Sequence, residues 1–184
     1  MIITITGKPC SGKGTVSKLF CEKFGFKYIC TGDIFREYAK KLGSDNILNL
    51  QLDDRVKEID KLVDNKIYKL GQKSLNENIV IDSRLAWHFI PNSYKVFIDI
   101  DDNIAAERLL NANRSTEQVE SLAEAIESLQ KRWKVENDRY MELYNVDNLN
   151  LNQYNLIISS NTLTPEEISM IIYENYENFI KNHK

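Results

Sequence analysis

The 184-residue chain has few of the residues that carry redox or histidine-based chemistry. It contains three cysteines (Cys10, Cys21 and Cys30) with no CxxC spacing, and only two histidines (His88 and His183). An odd number of separated cysteines is typical of reduced, structural thiols. A catalytic cysteine would need a partner histidine, and neither histidine lies in a motif that suggests one. We therefore expect structural thiols.

The sequence also lacks a long apolar run and a strong excess of either charge. The apolar run at residues 2–5 has no basic region before it and is too short to cross a bilayer. The formal net charge is −3, with 28% charged and 42% hydrophobic residues, whereas a nucleic-acid-binding chain is commonly basic. We expect a soluble cytoplasmic monomer with no nucleic-acid partner and no membrane partner.

Hydrophobic periodicity predicts strands that alternate with helices. Strands are predicted at residues 2–6, 26–30, 79–82, 95–100 and 155–159. Helices are predicted at residues 16–24, 33–42, 52–70, 103–112 and 115–143, and a last helix begins with a capping box formed by Thr164 and Glu167. Alternating strands and helices favour one α/β domain with a parallel sheet covered on both faces.

A glycine-rich segment at residues 7–15, Gly-Lys-Pro-Cys-Ser-Gly-Lys-Gly-Thr, joins the first strand to the first helix. Glycines let successive N–H groups point at phosphate oxygens, and the following helix adds its positive N-terminal end. Lys13 is expected to reach the β- and γ-phosphates of ATP, with the Thr15 hydroxyl near a Mg²⁺ ion. The predicted ATP-binding residues of this phosphate loop are Gly7, Lys8, Pro9, Cys10, Ser11, Gly12, Lys13, Gly14, Thr15 and Val16.

A second polar motif, Thr-Gly-Asp-Ile-Phe-Arg, follows the second predicted strand and includes Thr31, Asp33 and Arg36. Arg36 lies about one helical turn after Asp33, where its planar guanidinium could hold a monophosphate with two hydrogen bonds. The alternative is that Asp33 only caps the helix while Arg36 is solvated.

The third predicted strand ends in Asp82, and Arg84 follows it. A carboxylate at the end of an apolar strand is where a phosphate-loop enzyme holds Mg²⁺, commonly through water. Asp82 is therefore the first candidate for the metal, and Asp99, which ends the next strand, is the second. Arg84 is expected to point into the same cleft.

These motifs occur in order over nearly the whole chain. Together with Ile-Asp-Lys-Leu-Val-Asp at residues 59–64, Asp-Ser-Arg-Leu-Ala-Trp at 82–87, Arg-Tyr at 139–140 and Leu-Tyr-Asn-Val-Asp at 143–147, they resemble those of nucleoside monophosphate kinases. The Gly-Lys-Gly-Thr ending fits these kinases better than GTPases, which also need an Asn-Lys-x-Asp motif that is absent here. The short, archaeal-type cytidylate kinases are the family that the sequence resembles.

The resemblance implies a phosphate-loop NTPase fold of three layers with a five-stranded parallel sheet. It implies a core at residues 1–33, 77–110 and 145–184, a helical insertion for the nucleoside monophosphate at 34–76, and a helical lid at 111–144. It implies ATP as phosphoryl donor, Mg²⁺ as cofactor, small nucleotides as partners, and CMP or dCMP as acceptor. The acceptor residues would be Thr31, Asp33, Arg36, Asp60, Asp64 and Arg84.

Asp60 and Asp64 are four residues apart, so their carboxylates share one helix face. They could accept hydrogen bonds from an exocyclic amine such as that of cytosine. The alternative is an ordinary surface ion pair with Lys57 and Lys61.

Four arginines fall in or beside the region that resembles the lid: Arg108, Arg114, Arg132 and Arg139. Arg132 and Arg139 are seven residues apart and line up on one helix side, and with Lys13 they are the predicted catalytic residues. Arg108 is a predicted ATP contact. The alternative for any one of them is a solvated charge.

The chain departs from the family pattern at two positions: Ala112 replaces a further arginine and Ser83 replaces a glycine. Two other functions therefore stay open: a kinase for a different nucleotide or small metabolite, or a nucleotide-binding regulator with little turnover. For the kinase we expect direct in-line transfer to an acceptor phosphate that is already ionised, so that no general base is needed.

Overall fold

The computed structural model describes residues 1–41, 55–73, 77–111, 119 and 121–182. Within these ranges five strands form one sheet in the order β2-β3-β1-β4-β5. The strands are β1 (Ile2–Gly7), β2 (Lys27–Cys30), β3 (Ile79–Asp82), β4 (Tyr94–Asp99) and β5 (Leu156–Ser159). Every neighbouring pair is parallel, which confirms the predicted five-stranded α/β fold.

Helices connect these strands, as a parallel sheet requires. The described helices are α1 (Lys13–Phe24), α2 (Thr31–Lys41), α3 (Arg55–Lys73), α4 (Ala86–Phe89), α5 (Asp102–Asn111), α6 (Leu122–Tyr144) and α7 (Pro165–Asn182), with a 3₁₀ turn at Leu151–Gln153. None of the helices in the described ranges has the length and apolar character needed to span a bilayer.

Both faces of the sheet are buried, which explains the continuous apolar runs in β1 and β3. Val80 packs on one face with Val16 and Phe20 of α1 and with Ile172 of α7. Its neighbour Ile81 points to the other face, beside a cluster supplied mainly by α2 and α3. Successive residues of a strand alternate between faces, so one short strand contributes to two helical layers.

The parallel register brings the carboxyl ends of the strands to one edge of the sheet. Asp82 pairs in register with Ile5 of β1 and with Cys30 of β2. Asp99, at the end of β4, pairs with Ser159 of β5. Ligands of open α/β sheets bind outside this edge, and all the predicted phosphate-handling motifs lie there.

The starts of helices α2 and α6 differ from the sequence prediction. Helix α2 begins at Thr31, directly after β2, so Asp33 lies in its first turn and does not cap it. Helix α6 begins at Leu122 rather than near Ser115, because the Ser121 side chain accepts a hydrogen bond from the Glu124 N–H and caps it there. Residues 42–54 and 112–118, which include the other predicted boundaries in these regions, lie outside the described residues.

Candidate active site

The phosphate loop leaves β1 at Gly7, where the backbone passes too close to β4 for a side chain. A Cβ atom on Gly7 would lie 2.5 Å from the Ile98 carbonyl oxygen. Gly12 has φ of 81°, a left-handed conformation that favours glycine, and precedes the first residue of α1. The segment therefore has the strand–turn–helix geometry that phosphate binding requires.

Lys13 of the phosphate loop contacts Asp82 at the end of β3. The Lys13 ammonium forms an ion pair with Asp82 Oδ1. Gly14 allows this approach, since a Cβ atom there would lie 3.3 Å from Asp82 Oδ2. The Tyr28 hydroxyl donates to that second oxygen at 3.1 Å, so both oxygens of Asp82 are engaged.

Arg84 lies over the phosphate loop from the other side. Its Nη1 donates to the Gly7 carbonyl, and its Nε lies 3.4 Å from Glu136 Oε2 on α6. The guanidinium also packs 5.3 Å from the centre of the Trp133 ring. Three contacts hold Arg84 near Lys13, as its predicted role requires.

A cavity of about 270 Å³ joins these groups to the insertion and to α6. Five basic side chains line it: Lys13, Arg36, Arg84, Arg132 and Arg139. Four acidic side chains line it as well: Asp60, Asp64, Asp82 and Glu136. The cavity therefore collects the predicted residues of the donor, the acceptor and the lid in one place.

The far wall of the cavity carries two carboxylates, each held by a residue of α6. Arg139 Nε donates to Asp60 Oδ2 at 2.6 Å, and the Tyr144 hydroxyl donates to Asp64 Oδ2 at 2.6 Å. Burial raises the pKa of Asp64 to about 7. Burial also raises the pKa of Asp60, against the lowering effect of Arg139. Lys57, one of the alternative partners, pairs with Glu142 of α6 at 2.6 Å.

The predicted lid arginines occupy different positions. Arg132 and Arg139 line the cavity. Arg108 lies at the opposite side of the phosphate loop, where it donates to the carbonyl oxygens of Ser160 at 2.6 Å and Cys10 at 3.3 Å. Arg114 and Ala112 lie outside the described residues.

The remaining predicted residues are placed as follows. Lys8 forms an ion pair of 2.8 Å with Asp99 and donates to the Ile100 carbonyl oxygen at 3.2 Å. Arg36 pairs with Asp33 at the exposed start of α2.

Thr15 is exposed on the first turn of α1, whereas the Val16 side chain is buried in the core. Thr31, Ser83 and Gly32 line the cavity, while Pro9, Cys10, Ser11 and Gly12 form the loop beside it.

Asp82 fits a water-mediated role toward Mg²⁺. The carboxylate is almost fully buried at the strand end, beside the first turn of α1. Mg²⁺ keeps most of its waters in such sites and needs few protein ligands. Asp99 also pairs with a lysine, Lys8, but its side chain is 34% exposed, against 4% for that of Asp82. No group of three potential metal ligands occurs among the described residues.

Sequence reasoning missed Tyr28, Trp133, Glu136 and Tyr144. Glu136 could have been found by helical spacing, because it lies four residues after Arg132 and three before Arg139 on one face. Tyr28 lies in no motif, and Tyr144 lies in the Leu-Tyr-Asn-Val-Asp motif at 143–147 without a predicted role. Only the packing of separate elements brings their hydroxyls to Asp82 and Asp64.

Comparison with known proteins places this site in a family. The model of the AAA domain family matches residues 6–127. The cytidylate kinase of Sulfurisphaera tokodaii is 33% identical over 181 residues, which cover 98% of this chain and 97% of that one. The chain belongs to the P-loop kinase family that includes the archaeal cytidylate kinases.

Two further comparisons extend this assignment. An S-adenosylmethionine-dependent nucleotide dehydratase of Lacinutrix mariniflava is 34% identical over 95% of this chain, which spans only 36% of that protein. The crystal structure of shikimate kinase from Bacteroides thetaiotaomicron superposes with a TM-score of 0.65 at 16% identity, covering 96% of this chain and 98% of that one. At that identity the likeness concerns the fold of this P-loop kinase.

Proposed function

We propose that this P-loop kinase transfers a phosphoryl group from ATP to a nucleoside monophosphate, with CMP or dCMP as the preferred acceptor. The observation that carries the proposal is the single cavity lined both by Lys13 and Arg84, beside the phosphate loop, and by Asp60 and Asp64 of α3. The cytidylate kinase of Sulfurisphaera tokodaii, similar over its whole length, supports the same acceptor.

The basic end of the cavity suits two phosphate groups. Lys13 is anchored on the phosphate loop, and its ion pair with Asp82 has to open when the donor phosphates arrive. Arg84 and Arg36 are assigned to the acceptor phosphate, since a planar guanidinium binds phosphate with two parallel hydrogen bonds. Arg132 would neutralise charge on the transferred group.

The acidic end of the cavity suits a base with an exocyclic amine. Within the described residues, the second oxygens of Asp60 and Asp64 have no hydrogen-bond partner, so each can accept one. Arg139 Nη1 is a buried donor that likewise lacks a partner there. Cytosine offers an amine with two N–H donors, a ring nitrogen acceptor and a carbonyl oxygen acceptor, which complements two acceptors and a donor. Uracil would place a carbonyl oxygen against a carboxylate. Arg139 thereby receives an acceptor-side role in place of the catalytic lid role that its sequence position favours.

Transfer would be direct, because the acceptor phosphate is itself the nucleophile. No histidine lines the cavity among the described residues, and an ionised phosphate needs no general base. Catalysis then consists of positioning the two substrates and neutralising charge, by Lys13 and the arginines. Mg²⁺, held with the donor phosphates near Thr15 and Asp82, would add charge neutralisation there.

The division into a core, an acceptor insertion (34–76) and a lid (111–144) is part of the proposal. In this scheme α3 carries the base-reading carboxylates and α6 carries the lid arginines. The same scheme assigns Thr31 and Asp33 to the entrance of the acceptor site.

A coupled assay that measures ADP formation with CMP, dCMP, UMP, AMP and shikimate tests the function. We expect turnover with CMP or dCMP and at least tenfold lower kcat/KM with UMP. Lys13→Met is the inactive control, since it removes the donor-side cation. Turnover of shikimate alone would show a metabolite kinase, and ATP binding without any turnover would favour a regulator; either result contradicts the proposal.

A further inference from the structure

Asp82 is held by contacts from three directions. Lys13 pairs with Oδ1, and the Tyr28 hydroxyl donates to Oδ2 at 3.1 Å. The Thr31 hydroxyl donates to the Asp82 backbone carbonyl at 3.3 Å. Of the two side-chain partners, Lys13 is the one that a phosphate ligand would draw away, because phosphate oxygens compete for the ammonium group.

Tyr28 stands on a rigid part of the fold. It lies in the middle of β2, two residues before Cys30, which pairs in register with Asp82. Its ring packs against the core cluster between the sheet and α1, with the Lys18 ammonium 5.9 Å from the ring centre. The hydroxyl is therefore fixed by the sheet, independently of the phosphate loop.

We propose that Tyr28 is a positioning residue that keeps the Asp82 carboxylate oriented toward the metal–nucleotide complex after Lys13 has moved to the phosphates. The inference rests on the proposed function for the role of Asp82. With Oδ2 held by Tyr28, the freed Oδ1 is the oxygen that can accept a hydrogen bond from a metal-bound water.

The tyrosine is suited to this role because its hydroxyl donates to Asp82 Oδ2 from a strand that pairs directly with β3. A phenylalanine would preserve the ring packing and remove only the hydroxyl. Asp82 would then be free to rotate or to retain Lys13 with both oxygens.

Tyr28→Phe in the full chain is the test, with Tyr173→Phe as matched control. Tyr173 packs on the same core cluster and stacks on Phe24, away from Asp82. The first measurement is an EPR titration of Mn²⁺ with a non-hydrolysable ATP analogue, which gives the dissociation constant of the ternary complex. The second is the Mg²⁺ concentration for half-maximal rate at saturating substrates.

We expect Tyr28→Phe to raise both metal values about tenfold, as is typical when a partner of a metal-orienting group is removed. The acceptor KM should change less than about twofold, and the control should match the wild type. In the Asp82→Asn background, Tyr28→Phe should add almost nothing, because the two residues act through one carboxylate.

Unchanged metal values in Tyr28→Phe would overturn the inference, as would an equal tenfold effect in the Asp82→Asn background. Equal losses of metal, nucleotide and acceptor binding with a lowered melting temperature would show a merely structural role and also overturn it. The EPR titration needs no acceptor. It therefore decides the role of Tyr28 even if the chain phosphorylates none of the acceptors tested.

Discussion

Asp64 presents one carboxylate oxygen to the cavity while the other accepts the Tyr144 hydroxyl. In Asp64→Asn the amide oxygen can keep the bond to Tyr144, so that the amide N–H₂ faces the cavity. A donor then replaces an acceptor, which disfavours the amine of cytosine and favours the carbonyl oxygen of uracil. We expect the ratio of kcat/KM for CMP to that for UMP to fall at least tenfold, since sites built for hydrogen bonding discriminate strongly.

The matched control for this substitution is Glu58→Gln, which removes a carboxylate from the exposed face of the same helix. It should leave the CMP-to-UMP ratio unchanged. A proportional loss of both activities in Asp64→Asn would argue that Asp64 does not contact the base.

The buried position of Asp64 also makes the unfolding free energy depend on pH. Its pKa of about 7 in the folded chain exceeds the ordinary carboxyl value near 4, so the folded state binds more protons between these values. The stability contributed by this group is therefore lost as pH rises through 7. From pH 5 to pH 8, the free energy of unfolding of the wild type should fall by roughly 2–4 kcal/mol relative to that of Asp64→Asn.

Urea unfolding of the unliganded proteins at pH 5 and pH 8 measures this difference. Asp60, Arg139 and Tyr144 face the same carboxyl group in both proteins, and comparison with the variant separates Asp64 from the remaining titrating groups. Asp138→Asn on the exposed side of α6 serves as control. A constant difference between wild type and Asp64→Asn at the two pH values would contradict the raised pKa.

The residues of the site differ in how far the sequence could predict them. Lys13 and Arg84 were predictable because they lie within a few residues of a strand end, where topology alone places side chains. The ion pair between Arg139 and Asp60 could not be predicted, because it joins residues that are 79 positions apart in the sequence. Arg139 was predicted as a catalytic lid arginine, and it pairs with Asp60 in the cavity wall.

Among the elements, α7 has the clearest sequence signal for its start. Thr164 Oγ1 accepts from the Glu167 N–H at 3.2 Å, and Glu167 Oε2 accepts from the Thr164 N–H at 2.7 Å. These are the reciprocal bonds of the predicted capping box. The start of α6 was harder to predict, because charged residues extend on both sides of Ser121. Hydrophobic periodicity alone does not locate a cap.

The capping box gives a prediction for stability without an effect on chemistry. Thr164→Ala leaves the Glu167 N–H without its cap and should lower the free energy of unfolding by about 1 kcal/mol. Catalytic rates with CMP should stay unchanged, because α7 packs behind the sheet on α1. Thermal and urea unfolding measure the loss, with the exposed Thr162→Ala as control; equal stability of both variants would contradict the prediction.

At the scale of the whole molecule, the parallel sheet and the positions of the phosphate-handling loops followed from alternation and motifs, whereas the strand order was not predicted. The position of the insertion relative to α6 could not be predicted from the sequence, because it depends on contacts between α3 and α6. Three such contacts are present: Asp60 with Arg139, Asp64 with Tyr144, and Lys57 with Glu142. The first two line the cavity, whereas the third is more exposed.

Because α3 and α6 meet in the cavity that also contains Lys13, binding at the two ends should be coupled. We expect a non-hydrolysable ATP analogue to tighten CMP binding about fivefold, a coupling free energy of about 1 kcal/mol. Asp60→Asn and Arg139→Gln should each reduce this factor below twofold. The double variant should show about the same coupling factor as each single variant, since both changes break the same interaction.

Isothermal titration of CMP with and without the analogue measures the coupling, and melting curves verify that each variant is folded, because breaking a buried ion pair is costly. Lys57→Ala is the control: exposed pairs contribute little, so its coupling should equal that of the wild type. If all variants keep the fivefold factor, the Asp60–Arg139 contact does not transmit binding between the two ends. If only Asp60→Asn and Arg139→Gln lose it, the wall that reads the base is also the link through which α6 responds to the acceptor.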